Sequence, residues 1–158
     1  MGGFSSSLSG KQVEATCIQV ARQHSASSNM TINTWCRVVQ CQAMKSMQHS
    51  FMLKVHTSWN NNAPSVCMFA CIVTDTQFIV KTLCAMRTYS DQCIDKIRCV
   101  RVGNTVCNID VHIINQRNEV YADIALHHPQ YVMTFSPING GAVVDGTLVA
   151  EYDIQYID

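Results

Sequence analysis

The chain has 158 residues, 47% of them hydrophobic and only 14% charged, with eleven basic side chains balancing eleven acidic ones. That length holds about one domain with a core of its own, and the composition excludes a disordered chain. No basic stripe marks a nucleic-acid surface and no run approaches the ~18 apolar residues of a membrane helix, so neither nucleic acid nor membrane is an expected partner.

Met1 to Gly10 is rich in Gly and Ser and reads as a flexible arm. Met1-Gly2-Gly3-Phe4-Ser5-Ser6 also fits the loose myristoylation pattern, but Gly and Ser are what flexible arms contain. We assign residues 1–12 to the arm and 13–158 to one domain. Val13 to Arg22 suits either a strand or one short helix, and Ser25 to Asn29 reads as a loop. Asn29-Met30-Thr31 is a glycosylation sequon, read as accidental in a chain without a secretory signal.

From Thr34 onward strands dominate. Thr34 to Cys41 is the first clear one, and Phe51, Leu53 and Val55 then alternate with Met52, Lys54 and His56. Asn60-Asn61-Asn62-Ala63-Pro64 is a turn signal. Val66 to Val73 is apolar on both faces, as in a central strand, and Gln77 to Leu83 follows. Ile94 to Val102 and Val106 to Ile113 flank Gly103-Asn104, which reads as a two-residue hairpin turn. In the second of these strands Cys107, Ile109, Val111 and Ile113 face a core, while Asn108, Asp110 and His112 belong on a wet face.

Val120, Ala122, Ile124 and Leu126 repeat the alternation, and His127-His128-Pro129 ends that strand. Tyr131 to Phe135 is a short strand, Pro137 to Gly146 carries turns, and Leu148 to Tyr156 is a closing strand. Eight or so strands joined by turns, with no helix-strand alternation, predict an all-β fold: a single antiparallel β-sandwich of jelly-roll-like kind.

The chemistry-bearing residues form no constellation. Of nine cysteines none makes a C-x-x-C pair, and several alternate with apolar neighbours, so buried small hydrophobes in a reducing compartment are expected rather than a disulfide framework or a zinc site. Adjacent His127 and His128 point to opposite faces of an extended chain and read as a solvated pair. Asp110 and Asp123 lie on consecutive strands, where two exposed carboxylates are commoner than an acid/base pair. No nucleophile elbow, phosphate loop or zinc-protease motif is present, so no catalytic residue, metal or cofactor is expected. Trp59 with Asn60, Asn61 and Asn62 is the candidate binding site: a ring for stacking beside amides. It reads equally as a packing plug at the rim.

The order Trp35-Cys36-Arg37-Val38, His49-Ser50-Phe51, Trp59 to Val66, Ile94 to Val100, Asn108 to Val111 and Asn118 to Ile124 resembles the β-sandwich head modules of tailed-bacteriophage fibres and receptor-binding proteins. The resemblance covers roughly Trp35 to Ile124; the cysteine content and the short start without a repetitive stalk depart from it. It implies a non-enzymatic structural protein of the virion (fibre, tail or head decoration), assembled in the host cytoplasm. It also implies a homotrimer, docked on other virion proteins through the N-terminal arm and free to touch a host glycan or protein. A trimer would also suit a chain with little charge and no net charge. The rival readings are a free-standing lectin-like module using Trp59 and its asparagines, and an enzyme using a cysteine or the Asp pair.

Overall fold

In a computed structural model, the structure describes residues 21–30, 33–42, 48–59, 62–87, 92–104, 106–115, 117–125, 133–134 and 146–156. The expected arm, His127-His128, most of the 137–146 turn segment and Cys17 lie outside them. The strands are β1 (Ala21–Met30), β2 (Thr34–Gln42), β3 (His49–Trp59), β4 (Asn62–Val73), β5 (Phe78–Arg87), β6 (Ile94–Val102), β7 (Val106–Ile113), β8 (Arg117–Ala125), β9 (Met133–Thr134) and β10 (Thr147–Asp153). They form two five-stranded sheets: sheet A in the order β1-β8-β3-β4-β5 and sheet B in the order β10-β6-β7-β2-β9. Every pairing is antiparallel. The chain is the expected all-β sandwich.

The period of two sorts each strand between a shared core and the outside. Sheet A sends in Phe51, Leu53, Val55, Phe69, Val73, Phe78, Val120 and Ile124; sheet B sends in Cys36, Val39, Ile97, Ile109, Val111 and Ile113. Each such side chain, fully buried, contributes about 1.5–3 kcal/mol of transfer free energy. The edges β5 and β10 are clasped across the sheets. The Tyr152 hydroxyl donates to the Phe78 carbonyl at 2.6 Å, and the two rings meet edge-on at 6.1 Å. Tyr156 donates to the Ile94 carbonyl at 2.6 Å and lies 3.5 Å from the Cys67 sulfur.

Four expectations are corrected. The Ser25–Asn29 segment is part of β1, not a loop, because ladder bonds from β8 hold a polar edge strand that has no apolar alternation of its own. Tertiary pairing overrides propensity there. The hairpin between β6 and β7 ends at the pair Val102↔Val106, so its connection has three residues, with Gly103 at φ 60°. Strand β4 is central but not covered on both faces: Met68 is 37% and Ile72 43% exposed, since a two-layer fold covers only one face of each sheet. The wet face assigned to β7 is dry at Asn108 and Asp110, which are 1% and 0% exposed.

The thiols pack as hydrophobes. All eight described cysteines are free; seven are buried and Cys84 is half-buried. Burial pushes Cys67 up to about 11 and Cys71 up to about 12, and it also raises Cys41 and the Tyr156 hydroxyl. Cys99 is raised by donating to the Cys107 sulfur and by burial, and accepting that bond lowers Cys107.

Two predictions follow from this packing. With a thiol-specific reagent under native conditions, Cys84 reacts first among the described cysteines, and the other seven react only at the rate of unfolding. Folded Cys67 and Cys71 hold their protons above the ordinary value of 9.0, so at these two positions the unfolded chain loses protons first as pH rises. Stability is therefore full below pH 9 and falls as pH climbs toward 11 to 12. The slope is about 1.4 kcal/mol per pH unit for each such thiol, readable by urea unfolding.

Candidate functional site

The candidate Trp59 closes β3 and pairs with Asn62, the first residue of β4, across the turn. Asn60 and Asn61, and the side chains of Trp59 and Asn62, lie outside the described residues. The backbone thus brings Trp59 and Asn62 to one hairpin end.

The outward face of sheet A is the larger apolar feature. On β4 it presents Met68 and Ile72, and on β5 Ile79 (49% exposed), Leu83 (45%) and Met86 (52%). Strand alternation dictates this: the core takes Cys67, Phe69, Cys71 and Phe78, so their neighbours must point out. Register keeps them contiguous, with Ile72 opposite Ile79, Ala70 opposite Lys81, and Val66 opposite Met86. A cleft of about 360 Å³ opens on this face, lined by Ser50, Met52, Ala70, Ile72, Ile79 and Lys81. The strip runs about 23 Å from Ile79 to Met86 along β5 and spans two strands. Five large apolar side chains, each 37–52% exposed and contiguous, form a patch of the kind that marks an interaction surface.

Sheet B carries the opposite arrangement outward. Arg37 on β2, Asp110 on β7 and Arg98 on β6 stand side by side in register. Arg37 Nε donates to Asp110 Oδ1 at 3.0 Å, and Arg98 Nε donates to Oδ2 at 3.1 Å. The three side chains are buried, Asp110 completely. The Arg98 guanidinium carbon lies 4.0 Å from the centre of the half-buried Trp35 ring, a cation–π contact. Trp35 in turn meets His112 at 5.0 Å between ring centres, and His112 Nδ1 lies 2.6 Å from Asp95 Oδ1.

The two carboxylates weighed as an acid/base pair do not meet. Asp110 lies in sheet B and Asp123 (7% exposed) in sheet A, and both are buried rather than solvated. Asp110 is flanked by cations from both neighbouring strands. The sequence reading missed Arg37, Arg98 and Trp35 as a cluster. A usable signal was there for Arg98 alone, an arginine near an aspartate across the β6–β7 hairpin. Among the described residues no group of three or more His, Cys, Asp or Glu side chains is arranged to hold a metal ion.

No protein-family model matches the chain, and no curated protein does. Two solved structures share its arrangement in part. The tailspike protein of Acinetobacter phage vB_ApiP_P1 aligns over 73% of this chain and 22% of its own, at 6% identity and a TM-score of 0.44. The tailspike protein of Acinetobacter baumannii phage AM24 aligns over 87% of this chain and 28% of its own, at 12% identity and a TM-score of 0.42. The chain therefore spans about a quarter of the length of either tailspike.

Proposed function

We propose that this chain is a structural protein of a tailed-phage virion, without catalytic activity, that assembles as a homotrimer through the outward face of sheet A. The observation that carries the reading is the exposed strip of Met68, Ile72, Ile79, Leu83 and Met86 on β4 and β5. Five large apolar side chains in one strip, on a chain with no net charge, make a solitary monomer prone to associate. The fibre-module resemblance of the strands from Trp35 to Ile124 supplies the virion context. The N-terminal arm, residues 1–12, docks on other virion proteins, and the loops at the far end of the sandwich contact the host.

Self-assembly rather than a small ligand suits the strip because it runs along most of β5 and onto β4. Lys54 and Lys81 are the charged residues among its described neighbours on β3 and β5. Either could reach a carboxylate at the rim of a contact while its stem covers apolar surface.

Native mass measured from nanomolar to high micromolar concentration tests the reading. Wild type is expected as a trimer. The double variant Ile79→Glu, Met86→Glu is expected as a folded monomer, with association weakened at least about a hundredfold, or about 2.8 kcal/mol. A wild-type chain that stays monomeric throughout that range would overturn the proposal.

A further inference from the structure

The Arg37–Asp110–Arg98 row does not balance its charge. Two guanidinium groups face one carboxylate, so the row holds a net charge of +1. Each guanidinium spends only its Nε on Asp110. The Nη2 atoms of both arginines are buried and have no hydrogen-bond partner. Two residues along β7, about 7 Å away, the buried Asn108 Oδ1 is also unpartnered. Glu151, the cross-strand neighbour of Arg98 on β10, is exposed and forms no ion pair with it. Leaving charge-bearing donors dry and unpaired is costly, and a second anion is the group that would satisfy them.

We propose that this row is a binding site for a small oxyanion, a carboxylate or sulfate, held by the Nη2 groups of Arg37 and Arg98. The half-buried Trp35 ring lies against Arg98, so its fluorescence reports on the row. Both Nη2 atoms expose less than 1 Å² of surface, so the ion enters only as the side chains over the row move aside. The oxyanion brings the lone pairs that Nη2 lacks, and it takes the row from +1 to neutral or below. The site stands apart from the apolar strip, which lies on the other sheet, so it holds whatever the chain's oligomeric state.

Sodium sulfate and sodium acetate, each titrated against sodium chloride at constant ionic strength, are the probes. Sulfate stabilises most proteins by exclusion from their surface, so a saturable local signal is needed rather than a rise in Tm. The Nε–Hε resonances of Arg37 and Arg98 supply it, with Trp35 fluorescence in a Trp59→Phe background as a second readout. Saturable shifts of both arginine signals with at least one anion are expected, weakened tenfold or more in Arg37→Gln and in Arg98→Gln. Signals in the wild-type protein that do not move with either anion, or that move linearly without saturating, overturn the site, and this readout needs no variant to fold. Equal affinity in folded Arg→Gln variants overturns it as well.

Discussion

Asp110 stands on the middle strand of its sheet with a guanidinium from each neighbouring strand on each of its oxygens, and the register of three strands hangs on that arrangement. A one-residue slip of β2 or β6 would turn its arginine into the hydrophobic core and leave the carboxylate dry and unpaired. A two-residue slip would keep the same apolar faces inward, but it would still break two directional, charge-assisted bonds. The bulges in this sheet spare the row: β2 shifts between Arg37 and Val39, and β6 between Ile94 and Lys96, leaving Arg37↔Asp110↔Arg98 aligned.

The two sheets invert the usual division of labour outside the core. Sheet A shows solvent a face of Met, Ile and Leu, whereas sheet B hides Arg, Asn and Asp. Both follow from the same alternation: once Cys67, Phe69 and Cys71 are committed inward, Met68 and Ile72 go out, and once Ile97, Ile109 and Val111 go in, Arg98 and Asp110 go out. What differs is what each outer face does with its surface. Sheet B meets its carboxylate internally, through two ion pairs beside the Trp35 ring, and keeps one positive charge over. Sheet A has no such internal partner for its apolar side chains.

The all-β class and most strands were legible because Phe51/Leu53/Val55 and Ile109/Val111/Ile113 alternate so strictly. Strand β1 was not, because its Ser- and Asn-rich sequence gains its ladder from β8, nearly a hundred residues away. The Arg98–Asp110 contact was lost by a single residue of turn length. With Gly103-Asn104 as a two-residue turn, Arg98 falls opposite Ile109; with the observed three-residue connection it falls opposite Asp110. Arg37 could not be found this way, since β2 and β7 are far apart in the chain and their pairing is a property of the sandwich. Nor does alternation alone reveal that an outward residue is buried, which is why Asn108 and Asp110 read as wet.

The tyrosine clasps bear on the order of assembly. Tyr152 in β10 and Tyr156 just beyond it tie down β5 and β6, and β1 waits for β8 before it has a partner. Each of these links joins segments separated by some sixty to a hundred residues. The local hairpins β3–β4–β5 and β6–β7 can form early, but the sheets acquire their outer strands only after large loops have closed. Until then the apolar faces of the central hairpins stand open. A nascent chain of this design is therefore most exposed to wrong partners during synthesis, and its folding rate is set by closure of distant strands rather than by the strength of its core.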